Sequence, residues 1–467
     1  MDVAVVGAGF GGLAAAHALS LSGLRFRIFE KAASVGGTWR DNRYPGVACD
    51  VPAHLYSLSH APNPHWSRLF ASGGEILSHM RNDAERFSDR IAFGHRLICA
   101  VWRRQCWQLT FDNGAQIEAR HVIAAMGGLH VPNWPALPGL EAFAGPAFHS
   151  ARWPADFRAH GLRVGVIGTG ASAIQFVPEL AKVAAELHVF QRTPPWVIPR
   201  PDFGFGSGLQ RAFAALPMLR LALRGATFLT LEMLGSGLRY PSLAFWARAL
   251  GRSALRSIED PVKRAQLTPD YPIGCKRVLI SSDYYPALNR PNVHLHTAPV
   301  RAVAATGVEL DARVIALDAL VFGTGFKPMD VLSEVDIVGP HGRLAEHWSE
   351  RPGAYFGVSV PGFPNWHFLL GPNSALGHNS VLTIIEAQVA HALRLIEHAG
   401  GGSIEVEAPA LQAFLSENDA ALATSAWSGC QSWYLDERGR NIALWTSSVS
   451  RFRRRLRRVG ASGYRTR

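Results

Sequence analysis

Twice in this chain a short apolar run leads into a glycine-rich turn and then into a helical pattern. That repeat constrains the fold more than any other feature. The first copy is Val3–Val6, then Gly7-Ala-Gly9-Phe-Gly11-Gly12, then Leu13–Leu19. Gly7 permits the tight turn, Gly9 lets backbone approach a pyrophosphate, and Gly12 lets the helix pack on the strand. The helix N-terminus then offers N–H groups and the positive end of its dipole to the phosphates. A following strand, Phe26–Phe29, ends at Glu30, placed to bond ribose hydroxyls. An acid there favours an unphosphorylated ribose, as in FAD or NAD.

The second copy is Leu162–Ile167, then Gly168-Thr169-Gly170-Ala-Ser-Ala173, then Ile174–Lys182, a helix that Pro178 is expected to disturb. Ala173 in place of the third glycine is a permitted variant. The next strand, Leu187–Phe190, ends in Gln191-Arg192-Thr193 and not in an acid. A carboxylate would repel a 2′-phosphate, whereas Arg192 offers it a charge-assisted fork. The second site is therefore expected to take NADPH in preference to NADH. Two such units predict an α/β fold with two Rossmann-like dinucleotide-binding domains, and two redox cofactors that must meet.

A chain of 467 residues is too long for one core, which agrees with that division. The five cysteines are odd in number and scattered, without metal-ligand spacing. They predict a reducing, cytoplasmic compartment, no disulfide and no metal. The strand begins almost at the first residue, so no signal peptide is expected. The net charge is +11, but Arg451, Arg453, Arg454, Arg455, Arg457, Arg458, Arg465 and Arg467 supply eight positives at the end of the chain. A terminal basic run without a reader motif argues against nucleic-acid binding. Its default reading is a solvated helix not needed for chemistry; contact with an anionic membrane or another subunit is the alternative.

Residues 201–272 are rich in Leu, Ala and Arg and predict helices inserted into the second domain. Leu209–Leu234 is apolar with Arg211, Arg220 and Arg224 interspersed, which fits a buried helix pair or an interfacial amphipathic element. It is not an uninterrupted bilayer span, and packing against the rest of the enzyme is the preferred reading. Gly371–Glu386 reads as a polar loop feeding a helix. Trp366, Trp427, Trp433 and Tyr434 lie in loop-like segments that would line an apolar pocket or, more simply, pack in the core.

Between the two glycine turns stands Phe143-Ala-Gly145-Pro-Ala-Phe-His149-Ser-Ala-Arg-Trp153-Pro154. Phe143, Gly145, His149, Trp153 and Pro154 resemble, in register, the fingerprint of the Baeyer–Villiger monooxygenases. Gly36-Gly37-Thr38-Trp39, Tyr44-Pro-Gly46 and Asp50 resemble the flavin-cradling segment of the class B flavoprotein monooxygenases. Ala125-Met126-Gly127-Gly128 and Gly323-Thr324-Gly325-Phe326 resemble the family's two interdomain crossings, although Thr is usual at Met126 and Ala at Gly323. Gly371–Glu386 resembles the segment near the flavin ring.

The resemblance covers essentially the whole chain. It implies FAD at Gly7, Gly9, Gly12, Glu30, Gly37, Thr38, Trp39 and Asp50. It implies NADP at Gly168, Thr169, Gly170, Ala173, Arg192, Thr193 and Lys276. The domains would be a first part of the FAD domain at 1–145, an NADP domain at 146–318 with its helical insertion at about 203–272, and a second part of the FAD domain with the basic tail at 319–467.

Gly274-Cys275-Lys276-Arg277 matches the family's Lys-Arg pair after a glycine turn. The resemblance assigns Arg277 to stabilising an anionic flavin peroxide, Asp50 to orienting Arg277, and Lys276 to an NADPH phosphate. A permanently charged guanidinium suits the first task. His149 and Trp153 are expected to pack and gate more than to react. The implied activity is insertion of one atom of O2 beside the carbonyl of a small apolar ketone or aldehyde. An N- or S-oxygenase on the same scaffold, and more distantly a flavoprotein reductase, are the alternatives. Substrate identity and oligomeric state are not written in the sequence.

Overall fold

The structure is a computed structural model and describes residues 1–311, 313–327, 334–436 and 438–467. Two parallel sheets organise it. The first runs Trp366–Phe368, His121–Ala124, Val3–Val6, Phe26–Phe29, Ile91–Ala92 in spatial order. Val3 lies opposite Phe26 on one side and His121 on the other. Val3–Val6 is buried along its whole length, as a strand covered on both faces must be. The second sheet runs Val293–His296, Glu186–Phe190, Arg163–Ile167, Ala319–Phe322, Ala147–His149. A third, mixed sheet carries Leu97–Arg103, Cys106–Phe111, Gln116–Ala119, Asp336–Gly339 and Gly342–Arg343. Trp107 and Trp366 meet in its core with ring centroids 4.8 Å apart.

Three expectations change. Ala319–Phe322, expected to open the second part of the FAD domain, is hydrogen-bonded into the second sheet between Arg163–Ile167 and Ala147–His149. A buried apolar run does not say which of two parallel sheets it joins. Second, Pro178 does not disturb its helix, which spans Ala173–Ala181. Phe176, Val177, Pro178, Leu180 and Ala181 are all buried, so packing on the sheet outweighs one missing backbone bond. Third, Cys275 and Cys430 are joined in a disulfide, with Cα atoms 5.9 Å apart. Their 155-residue separation hid the pair, because sequence spacing carries no information about which loops the fold brings together.

The insert forms helices Ser207–Ala215, Pro217–Arg239, Phe245–Leu255 and Pro261–Gln266. Its inner side does pack: Phe213, Leu223, Phe228 and Leu231 join the core of the first domain. The Arg224 guanidinium donates to the carbonyls of His54, Leu55 and Ser57.

The basic tail is not a solvated appendage. Helix Val449–Val459 buries Val449, Phe452 and Leu456, an i, i+3, i+7 stripe, lays Arg455 over the Phe356 and Trp445 rings, and exposes Arg451, Arg454, Arg457 and Arg458. Strand Tyr464–Thr466 then pairs antiparallel with Ile404–Val406, and the Tyr464 hydroxyl bonds Ser359 and His391. Removing the tail therefore opens a core, contrary to the dispensability expected above. Phe452→Ala should cost about 3–5 kcal/mol of stability, seen as a lower denaturant midpoint.

Candidate active site

The first glycine turn leaves no room for side chains where the resemblance requires none. Gly7 has φ +105°, and a Cβ there would sit 2.5 Å from the Ala125 carbonyl oxygen; one at Gly12 would sit 1.9 Å from the Gly7 oxygen. Gly9 differs, because the nearest atom to its added Cβ is the Gly37 Cα at 3.9 Å. Two backbone glycines thus face each other across open space, at the uncapped start of helix Phe10–Ser20. Glu30 accepts from the Ala8 and Ala32 N–H groups at 2.8 and 3.0 Å and from Arg40 Nη1 at 2.8 Å. Three donors on a carboxylate with about four acceptor positions leave one for a ribose hydroxyl. Thr38 is exposed at the start of helix Thr38–Asp41, while Trp39 is buried with its indole N–H on the Tyr56 hydroxyl. Open glycine backbone, a helix N-terminus and a ribose acceptor together fit FAD.

The second turn repeats the geometry. A Cβ at Gly168 would sit 2.5 Å from the Gly323 oxygen, whereas one at Gly170 meets nothing nearer than 3.8 Å. Ala173 is fully buried. The Thr169 hydroxyl donates to the Thr193 carbonyl. Arg192 is exposed, and the structure brings Lys276 within its field. Partial burial and then the Arg192 charge push the Lys276 ammonium below its usual range. Asp270 opposes that shift but is the weaker influence, and two cations gathered beside one acid fit a phosphate, as NADP requires.

Where the domains meet, Arg277 Nη2 donates to Asp50 Oδ2 at 2.5 Å. Asp50 is the main cause of an Arg277 pKa raised above the usual guanidinium range, so the cation is permanent. The flavin-cradling segment is tied to the second domain again through Gln175. The Tyr44 hydroxyl and the Ala48 N–H both donate to its Oε1, and its Nε2 donates to the Ala48 carbonyl. The two crossings lie side by side: Pro132 bridges Phe326, and the Asn133 N–H donates to the Gly325 carbonyl.

The 143–154 motif packs. Gly145 cannot carry a side chain, because its Cβ would lie 2.2 Å from the Asp318 oxygen. Phe143 joins the core beside the second sheet. His149 is fully buried, its Nδ1 accepting the Ala151 N–H, with its ring against Trp134 and Phe326. Trp153, half-buried like Pro154, stacks edge-on to Phe148 and Phe157 and tilts onto Phe176, which Tyr44 also meets. The motif thus reaches the flavin segment through one shared ring.

A family model described as flavin-binding monooxygenase-like matches residues 111–218, and one described as an NAD(P)-binding Rossmann-like domain matches residues 5–72. A Baeyer-Villiger monooxygenase of Pseudomonas aeruginosa is 42% identical over 99% of this chain and 90% of its own length. Another, from Streptomyces coelicolor, is 41% identical over 99% and 92%. The chain belongs to the Baeyer–Villiger monooxygenase family. The structure of an oxidized steroid monooxygenase bound to NADP superposes with TM-score 0.89 at 32% identity, covering 99% of both chains. OTEMO in complex with FAD and NADP gives 0.89 at 28% identity, covering 100% of this chain and 99% of its own.

For a Baeyer–Villiger monooxygenase, the residues that sequence reasoning missed are those that depend on contacts between distant segments. Gln175 follows the second turn with no signal of its own. Tyr434, suspected only as a pocket aromatic, is buried beside the Arg277–Asp50 pair; burial, opposed by Arg277, raises its hydroxyl to about 12. Trp366 and Trp427 are core, and Trp433 is exposed. Glu186, His188 and His294 bring ligand atoms within 4.8 Å of one another, a grouping no metal-ligand spacing announced. The hydrogen bonds of His188 to Glu186 and His296 account for it without an ion.

Two predictions follow from this geometry. Gly12→Ala should abolish FAD retention, read as loss of flavin absorbance in the purified protein. Burial holds His54, His121, His149 and His296 at about 4 against the usual 6.5. Below 6.5 the unfolded chain binds more protons than the folded one, so stability should be full above about 6.5 and fall as pH drops toward 4. Denaturant midpoints that stay level across that window would contradict it.

Proposed function

We propose that Arg277, held by Asp50 at the junction of the two dinucleotide domains, is the cation that directs this enzyme to oxygen insertion beside a carbonyl. The carrying observation is the 2.5 Å Arg277–Asp50 contact, which joins a loop of the second domain to the flavin-cradling segment of the first. As a member of its family the protein is an FAD-containing, NADPH-dependent monooxygenase. FAD reduced by NADPH supplies the activation of O2. The chain's own residues position and polarise. The Gly7–Gly12 turn and Glu30 seat the flavin nucleotide, with Gly37, Thr38 and Trp39 alongside. The Gly168–Ala173 turn and Thr193 would hold the nicotinamide nucleotide, with Arg192 and Lys276 offered to its 2′-phosphate.

Arg277 would offer its fixed positive charge to negative charge that develops on oxygen during transfer to the carbonyl. A fixed cation costs no reorganisation at that moment. Asp50 sets the plane of the guanidinium. His149 and Trp153 brace the crossings and so the relative position of the cofactors. The substrate class is a small apolar ketone or aldehyde, giving an ester or lactone.

Arg277→Ala should keep bound FAD and its reduction by NADPH. Ester formation should fall by orders of magnitude, since one such donor is worth about 2.7–4 kcal/mol. NADPH oxidation should then continue with hydrogen peroxide as product. Ester at wild-type yield from this variant would sink the assignment, and sulfoxidation without any ester from the wild type would favour a heteroatom oxygenase. Arg192→Ala should raise the KM for NADPH by one to two decades, from about 1.5–3 kcal/mol of lost charge-assisted bonding, while sparing that for NADH. Equal effects on both coenzymes would remove Arg192 from this role.

A further inference from the structure

Helix Pro217–Arg239 is 23 residues long, and only Gly235 and Gly237 on it are buried. Its inner side is nevertheless held, by Leu223, Phe228 and Leu231 in the first core and by Arg224 on three carbonyls. The outer side carries Met218, Leu221, Leu229 and Met233, exposed by 74, 54, 61 and 66%. With Ala222, Gly225 and Ala226 they fall on one helical face about 140° wide. At 1.5 Å per residue the stripe is about 22 Å long, and the one charged residue within its arc, Glu232, is largely buried. Leu216, at 60% exposure, extends it at the amino end. An apolar face of this length has no ordinary reason to meet water.

Basic residues predominate in the insert. From Phe203 to Ile258 the sequence holds seven arginines and a single acid, Glu232. Glu232 is consumed internally: it accepts from the Asn379 side chain and from the Val449 and Ser450 N–H groups, and it bonds His378. Those contacts plant the amino end of helix Val449–Val459 beside Met233. That second helix exposes Arg451, Arg454, Arg457 and Arg458. Glu232 therefore couples an outward apolar stripe to an outward basic one.

We infer that this surface docks the enzyme on an anionic lipid bilayer, with helix Pro217–Arg239 lying in the headgroup plane and the arginines of helix Val449–Val459 on lipid phosphates. Apolar burial and cationic attraction are the two contributions such interfacial anchors combine. A transmembrane reading fits less well: among the described residues no single helix is long and apolar enough, and the bent pair Ser207–Ala215 and Pro217–Arg239, apolar enough together, keeps one side packed on the first core. A second copy fits poorly as occupant. An isologous dimer lays the same patch on itself, and here the exposed arginines of helix Val449–Val459 would face arginines, while the nearby Glu232, Glu386 and Glu417 are already engaged within the chain.

The test uses the FAD-loaded full chain and sedimenting vesicles. Binding to phosphatidylcholine vesicles containing phosphatidylglycerol should exceed binding to phosphatidylcholine alone, and should weaken as salt is raised. Leu229→Glu with Met233→Glu should lower vesicle affinity on the order of a hundredfold. Arg454→Gln and Arg458→Gln should each lower it roughly fivefold. Both sets should retain FAD and its reduction by NADPH, which separates lost docking from lost folding. Absence of binding to the anionic vesicles, or binding unchanged in the Leu229/Met233 variant, would overturn the inference. So would a wild-type dimer in light scattering that this variant converts to monomer, which would assign the face to a second copy.

Discussion

A half-buried ion pair joins the two dinucleotide domains, and the rest of their junction is arranged around it. Arg277 and Asp50 sit on segments 227 residues apart, and neither domain alone assembles the site. A desolvated pair of this kind is weak evidence of stability, because removing two charges from water costs about as much as their attraction returns. Its value is positional. Breaking it would leave an uncompensated charge, so the domains are held to the one arrangement in which both ions are satisfied.

Supporting contacts reinforce that arrangement without duplicating it. Gln175 exchanges three hydrogen bonds with Tyr44 and Ala48, so the helix that begins at the second glycine turn is keyed directly to the flavin-cradling segment. Phe176, the next residue, receives Tyr44 on one side and Trp153 on the other. The Cys275–Cys430 bond ties the residue two before Arg277 to the segment carrying Tyr434. Four distinct parts of the chain thus meet at the domain junction, and in the role proposed for Arg277 this would place its charge before reaction begins.

The insert and the tail show the limit of amphipathic patterning. Leu209–Leu234 announces an apolar helix pair, and one side of it packs as expected. The pattern does not reveal that the other side faces out, because an apolar residue reads the same whether its partner is a core, a lipid or nothing. The tail misleads in the opposite direction. Eight arginines dominate its composition, yet the three buried apolar residues of helix Val449–Val459 and the strand after it decide its place.

The sequence by itself determined the two nucleotide turns, the strands Val3–Val6 and Phe26–Phe29 to the residue, the presence of the helical insert, and the family. Those features rest on local rules: which residues tolerate positive φ, which alternate, which start a helix. It also singled out Arg277, Asp50, Arg192 and Lys276 one by one. Only the tertiary structure decided that Ala319–Phe322 belongs to the second sheet, that Cys275 meets Cys430, that Gln175 and Tyr434 attend the site, and that Arg192 and Lys276 share a neighbourhood. Each of these is a contact between segments far apart in the chain. Such contacts are selected by which surfaces bury together, and no local pattern encodes that choice.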